Sequence, residues 1–228
     1  MASRPRRLFA TATALLAALA GSLQVRVAAA DRDDSDAARV DWAAGRVIAG
    51  GTGVADRHAP SPAVALGTSR RGAVDAARRR IAAKLGSLPL AGGGTLAARL
   101  TDPAIRARVD AAVEAAITIA ADPETDGSWH VTLAVPIEAI RLALTGPREL
   151  PLAGDFGPPV IVVEGVTARP AIGWTVGGVA APTLWVKEAP AWAKDALRVR
   201  STSARAGAIT VDAPISTAAT LYLLVARP

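Results

Sequence analysis

The sequence predicts an α+β fold, in which an amino-terminal antiparallel sheet carries two to three packed helices and is followed by a small β-rich unit. Two observations support this prediction. Between residues 39 and 146, short apolar segments alternate with stretches whose apolar residues recur every three or four positions, the period of a helix buried on one side. From residue 158 onward, short apolar segments are mostly separated by turns that contain Gly or Pro, which is typical of strands.

The first unit, residues 39–146, begins with two short strand-like segments at 40–42 and 46–49. Glycines follow at 50, 51 and 53, where we expect the strand to bulge or to pass close to a neighbour. Ser61-Pro62 and Asp102-Pro103 are both typical helix starts, with a capping side chain before a proline. Apolar residues at helical spacing follow each start: Val74, Ala77, Ile81, Leu85 and Leu88 after the first, and Ile105, Val109, Ala112, Val113 and Ala116 after the second.

A hairpin and a third helix complete the first unit. Residues 117–120 and 129–135 predict two strands around a turn-rich loop, and Pro136 begins a short helix that ends at Gly146-Pro147. Residues 147–157 then read as a linker, and the small β-rich domain occupies residues 158–228. Its expected strands lie at 160–163, 171–176, 183–186, 197–201, 208–211 and 220–225, with one helical turn at 190–196. The last strand is continuously apolar, so we expect it to be buried on both faces.

The first thirty residues have the pattern of a secretory signal peptide. A basic start at 4–7 is followed by an uncharged apolar run at 8–23 and by small residues up to Ala30. The run has about 16 residues, fewer than the roughly 20 that span a bilayer as a helix. We therefore expect residues 1–30 to be removed and residues 31–38 to form a disordered, aspartate-rich leader. The mature protein is then exported, in the periplasm or associated with the outer membrane.

Charge and cysteine content exclude several classes of function. The chain has 26 Lys and Arg against 20 Asp and Glu, and the signal peptide contains four of the arginines and no acid, so the mature protein carries a charge of only +2. So weak a field argues against nucleic-acid binding. There is no cysteine, which excludes disulfides, thiolate metal sites, a cysteine nucleophile and a lipidated amino-terminal cysteine. No second apolar run reaches membrane-spanning length, so we expect a soluble chain or one in peripheral contact with a membrane.

Several segments occur in the order found in a known family. They are Asp41-Trp42, residues 48–54, an A-x-D-A-x-R pattern at 73–78, and the strand Trp129–Pro136. In this order they resemble the LPP20-like envelope proteins and the related N-terminal domain of the flagellar assembly protein T, over roughly residues 39–145. The chain departs from the family in lacking the lipidated Cys of many members. It also has Ala83-Lys84 where many relatives carry a Glu. The resemblance implies a non-enzymatic envelope or flagellum-associated role.

Most residues of the types found in ligand, metal or catalytic sites can be explained by a role in the fold. The glycines at 50–53 lack the Lys-Ser/Thr that a phosphate-binding loop requires. The two histidines, His58 and His130, have no zinc-binding spacing. Asp122, Glu124 and Asp126 lack the spacing of a calcium loop and predict a solvated turn. We predict no catalytic residue, no metal and no cofactor, and therefore no enzyme.

Two sets of residues are candidate binding sites. Arg70, Arg71 and Arg78 share one side of the first helix, where they would bind an anionic lipid, or else form a solvated face whose stems cover apolar surface. Trp174, Trp185 and Trp192 cluster in the β-rich unit, where they would bind a glycan, or else anchor the core of an aromatic-poor chain.

Together these patterns predict an exported, non-enzymatic bacterial envelope protein with a structural or assembly role, associated with a surface structure or a flagellum. Its expected partner is an envelope or appendage protein, and self-association is also consistent with the pattern. The alternative function is a glycan- or peptidoglycan-binding module that uses the tryptophan-bearing carboxy-terminal unit.

Overall fold

An antiparallel four-stranded sheet with helices is followed along the chain by a mixed seven-stranded sheet. The computed structural model describes residues 36–146, 160–215 and 221–226. This mixed α+β architecture confirms the predicted fold class. The expected signal peptide, residues 31–35 of the leader and the expected linker lie outside the described residues.

The strands of the first sheet stand in the order β1-β2-β4-β3, and each neighbouring pair is antiparallel. β2 pairs with β4 along its whole length, from Arg46 opposite Pro136 to Gly53 opposite Trp129. β1 covers only the first three residues of β2, and β3 forms the other edge. The four strands are β1 (Arg39–Asp41), β2 (Arg46–Gly53), β3 (Ile117–Pro123) and β4 (Trp129–Pro136).

The helices of the first sheet begin where the capping residues predict. Ser61 accepts a hydrogen bond from the Val64 N–H, and Asp102 accepts from the N–H groups of Ala104 and Ile105. Pro136 is the N-cap of the last helix, as its position in the sequence indicates. One short helix was not predicted, because four residues are too few for a periodic pattern. The helices are α1 (Pro62–Leu85), α2 (Leu96–Arg99), α3 (Pro103–Glu114) and α4 (Ile137–Thr145).

The first core lies between α1 and the face of β2 and β4 that it covers. Along α1 the buried stripe is Ser69, Ala73, Ala77, Ile81 and Leu85, at intervals of four. The predicted stripe shares Ala77, Ile81 and Leu85 with it, but Ala73 takes the place of Val74, which is only half-buried. Ser69 was not predicted, and Leu88 is buried beyond the end of the helix. Facing α1 are the alternate residues of the two central strands, all buried in the same cluster: Val47, Ala49, Val131, Leu133 and Val135.

The second sheet has the order β7-β6-β10-β9-β5-β11-β8. The ladders that join β5 to β9, β5 to β11 and β11 to β8 are parallel, whereas β9 and β10 form an antiparallel hairpin. The expected strand at 171–176 is reduced to its last two residues, and the expected strand at 197–201 extends to Arg205. The strands are β5 (Val160–Val166), β6 (Thr175–Val176), β7 (Val179–Ala180), β8 (Thr183–Val186), β9 (Leu197–Arg205), β10 (Ala208–Val211) and β11 (Leu221–Ala226).

The centre of the second sheet is buried on both faces. Tyr222 and Leu224 of β11 belong to one apolar cluster, and Leu223 belongs to another on the opposite face. All three side chains are fully buried, which confirms the prediction from the continuous apolar run. A short 3₁₀ helix, Ala191–Ala193, lies within the expected helical turn, and Ala193 packs in the second of these clusters.

The two sheets share main-chain contacts within one compact unit that includes all the described residues. The main-chain N–H of Trp185 donates to the main-chain carbonyl of Trp42 at 3.0 Å, and Leu90 forms a parallel bridge with Ile172. Trp42 packs against both of the larger apolar clusters. Across the described part of the chain, no helix is both long and apolar enough to cross a bilayer.

Candidate functional site

The three candidate tryptophans do not share a surface. Trp174 and Trp185 are buried, and their rings pack edge to face with centroids 6.3 Å apart. Trp192, in the 3₁₀ helix, is 61% exposed. A platform for a sugar ring needs an exposed aromatic face, and Trp192 is the one member of the set that offers it. Trp174 and Trp185 therefore serve as core anchors, the alternative interpretation of their sequence pattern.

The three candidate arginines lie along α1 but have different partners. The Arg70 guanidinium lies 5.3 Å from the centroid of the Trp129 ring, a cation–π contact. Arg78 Nη1 is 2.7 Å from Glu114 Oε2, and Arg78 Nη2 donates to the Glu114 carbonyl at 2.6 Å. Arg71 is exposed and has no ion pair within the described ranges. Two of the three arginines thus hold α1 to β4 and α3, and Arg71 is left facing solvent.

Two of the three glycines of β2, Gly51 and Gly53, are explained by close packing against α1. A Cβ on Gly51 would overlap the carbonyl oxygen of Ala73, and a Cβ on Gly53 would overlap that of Ser69. The Ser69 hydroxyl also donates to the Gly53 carbonyl at 2.6 Å, so strand and helix are joined directly. The expectation that the strand passes close to a neighbour is confirmed. These glycines lie in a regular strand, and helix backbone fills the space that a phosphate would need.

The acidic turn between β3 and β4 borders a groove of about 530 Å³. The opposite wall is the loop before α1, and the lining includes Asp56, Arg57 and Leu66. The Ser128 hydroxyl and N–H donate to Asp126 Oδ1 at 2.6 and 3.0 Å, and these bonds lower the pKa of Asp126. In the parts of the chain that the structure describes, no three metal-ligating side chains come together. The role visible for Asp126 is to order the turn.

The strongest candidate for an interaction surface is the outer side of β3, which we call the β3 edge. β3 is last in the strand order, so within the described residues it pairs with β4 alone. Ile117 and Ile119 on this strand are 57% and 46% exposed. The register against β4 shifts between Thr118 and Ala120, so Ile119 is the extra residue of a bulge. An edge strand offers unpaired N–H and C=O groups to which another chain can add a strand.

A polar cluster around Asp36 was not predicted from the sequence. Asp36 Oδ2 lies 2.8 Å from Arg80 Nη1 and accepts a hydrogen bond from Thr52 Oγ1 at 3.3 Å. Asp36 Oδ1 lies 3.3 Å from His130 Nδ1. Arg80 Nη1 also donates to the Gly50 carbonyl at 2.7 Å. Asp36 was expected in the disordered leader. This is wrong for Asp36, because these contacts hold its side chain, which is only 12% exposed.

Neither the β3 edge nor the Asp36 cluster has a local sequence signal. The β3 edge follows from the order of the strands, which hairpin patterns do not specify. The Asp36 cluster follows from contacts with Arg80 and His130, which lie far along the chain.

Comparison with known protein families finds no family model that matches the chain, and comparison with curated proteins finds no significant match.

Proposed function

We propose that this chain is an exported, non-enzymatic protein of the bacterial envelope with a structural or assembly role, and that it assembles through the β3 edge. The observation that carries the proposal is an edge strand with two half-exposed isoleucines, Ile117 and Ile119. The signal-like pattern of residues 1–30 supports export. The resemblance of residues 39–145 to LPP20-like envelope proteins supports the compartment and the class of function.

The energetics of strand addition suit such a role. Full burial of an isoleucine side chain contributes about 1.5–3 kcal/mol, so covering two half-exposed ones supplies roughly 2 kcal/mol. Each main-chain hydrogen bond to an added strand contributes about 1 kcal/mol net. Against this stands the cost of ordering the partner. A partner strand with apolar residues opposite Ile117 and Ile119 would therefore bind reversibly and with a defined register.

The glycan-binding alternative has less support from the arrangement of its residues. Trp174 and Trp185 are buried, and a single exposed tryptophan, Trp192, remains of the set.

Crosslinked capture from native envelopes tests the assembly role. Tagged mature chain (residues 31–228) is compared with a variant that carries Ile117→Lys and Ile119→Lys, because charges on an edge strand oppose strand addition. The matched control carries Val54→Lys and Leu197→Lys, two exposed apolar positions outside the β3 edge.

We expect the wild type and the control to recover the same envelope or appendage component. The β3 variant should recover about tenfold less of it, as expected if binding loses about 1.4 kcal/mol. Equal recovery by all three proteins would remove the β3 edge from the proposal. Recovery of the bait alone in every case would argue against the assembly role.

A further inference from the structure

The first sheet has a second edge, on the side of β2 that β1 leaves uncovered. β1 pairs with Arg46, Val47 and Ile48 only. Beyond Ile48, residues 49–53 of β2 have β4 on one side and, in the described parts of the chain, no strand on the other. This stretch would accept an added strand unless something covers it.

Arg80 contacts this edge at Gly50. It projects from α1, which packs on the face of β2 that includes Gly51 and Gly53. Its Nη1 donates to the outward carbonyl of Gly50 at 2.7 Å, so one main-chain acceptor of the edge is already satisfied. The same nitrogen lies 2.8 Å from Asp36 Oδ2. A charged side chain placed on an edge opposes the docking of another strand.

Asp36 holds Arg80 in this position from the opposite face of the sheet. Gly50 and Thr52 alternate with Gly51 and Gly53, so they face away from α1. A Cβ on Gly50 would overlap the Asp36 carboxylate and lie 2.9 Å from the Asp36 Cα, so both the carboxylate and the main chain of Asp36 lie directly on that face. Thr52 donates to Asp36, and His130 lies beside its other oxygen. The ion pair thus passes around the edge of β2 and joins its two faces.

We infer that Asp36 and Arg80 form an edge guard, which closes residues 49–53 of β2 to extended polypeptide, including a second copy of this chain. Strand addition to the first sheet is then confined to β3. The inference that Asp36 and Arg80 close this edge follows from the contacts described above. Only the inference that they direct partner strands to β3 rests on the proposed function.

Neighbouring arginines of α1 provide a matched test of the guard. Arg80→Gln removes the charge that contacts Gly50 and Asp36. Arg79→Gln removes an equal charge from an exposed position that has no ion pair among the described residues. Asp36→Asn tests the pair from the other side. Hydrogen exchange is followed in the peptide that covers residues 46–53, and sedimentation velocity reports self-association of the purified mature chain.

We expect Arg80→Gln and Asp36→Asn each to speed exchange in this peptide about tenfold, because β2 loses its tie to α1 and Asp36 and its pairing with β4 opens more often. The double variant should be no faster than either single one, and Arg79→Gln should match the wild type. Both guard variants should also form oligomers, which persist when Ile117→Lys and Ile119→Lys are added. Equal exchange in Arg80→Gln and Arg79→Gln would overturn the guard, as would oligomers that disappear when the β3 edge is charged.

The same proteins separate the guard from the assembly role. Unchanged exchange in Arg80→Gln, together with β3-dependent capture from envelopes, would disprove the guard and leave the proposed function standing. Faster exchange in Arg80→Gln, with no partner captured by the wild type, would keep the guard and disprove the proposed function.

Discussion

β2 and β3 flank the same strand, β4, yet their surroundings differ completely. β2 is enclosed, with α1 against one face, Asp36 against the other and Arg80 across its edge. β3 is half-exposed along its first three residues and has no covering side chain of this kind in the described structure. Where α1 and Asp36 approach most closely, β2 has glycines, whereas the exposed start of β3 has two isoleucines. A glycine within a strand thus marks a point where the next layer leaves no room for a side chain.

The largest expected effect comes from adding a methyl group to the enclosed strand. Gly53→Ala would drive its Cβ into the Ser69 carbonyl of α1. Because backbone would have to move, we expect the free energy of unfolding to fall by about 3 kcal/mol or more. Urea denaturation monitored by circular dichroism measures this free energy of unfolding.

Gly67→Ala is the control for this change. Gly67 lies in α1, where its nearest neighbour to an added Cβ is the flexible end of Arg71 at 3.8 Å. Alanine there should stabilise the protein by about 0.5–1 kcal/mol, because glycine is a poor helix residue. A Gly53→Ala variant as stable as the wild type would show that β2 is not closely packed on α1.

Two aspartates give the next comparison, one beside each strand. Asp36→Asn weakens the ion pair between the buried Asp36 carboxylate and Arg80, whose side chain is 42% exposed, so we expect a loss of about 1 kcal/mol in stability. Asp122→Asn, at an exposed position of β3, should stay within about 0.5 kcal/mol of the wild type. Thermal denaturation of the two variants and the wild type measures both losses of stability. Equal losses would mean that the two sides of the sheet are equally enclosed.

Charging the open strand should change the free energy of unfolding as little as Asp122→Asn does. Ile117→Lys and Ile119→Lys place charge where side chains already meet solvent, so we expect a stability change within about 0.5 kcal/mol. The same urea titrations provide the measurement. A loss of several kcal/mol would show that the isoleucines belong to the core of the fold and do not form a free surface.

The smallest effect concerns the turn between β3 and β4. The Ser128 hydroxyl and N–H lower the pKa of Asp126 from its ordinary value of 3.8, so the carboxylate form is favoured in the folded chain. Its contribution to stability is present above pH 3.8 and is lost as the pH falls through the lowered pKa. We therefore expect the difference in stability between wild type and Asp126→Asn to narrow below about pH 4. Urea midpoints measured across this range test it, and a constant difference would contradict it.

Local signals accounted for much of the fold. Ser61 and Asp102 predict helix starts because an N-cap side chain bonds to N–H groups only two or three residues ahead. The strands at 183–186 and 208–211 were predicted at their observed bounds. The order of the strands was not predictable in this way, because period-2 patterns show that a strand exists and not which strand lies beside it.

The candidate sites depended still more on long-range contacts. The sequence left open whether Trp174 and Trp185 are surface or core residues, since burial depends on which strands pack over them. The sequence does not distinguish Asp36 from the other aspartates of the leader. Its partners, Arg80 and His130, lie far along the chain and come close to it only in the folded sheet and α1.

The position of β11 has a consequence for how the chain is made. β11 lies between β5 and β8, so a strand that follows both of them along the chain takes an interior place in the second sheet. β5 and β8 leave the ribosome before the strand that joins them, so until then the edges that β11 will pair with have no partner strand. A premature stop before Leu221 would therefore remove an interior strand, separate β8 from β5 and release a chain that aggregates or is degraded.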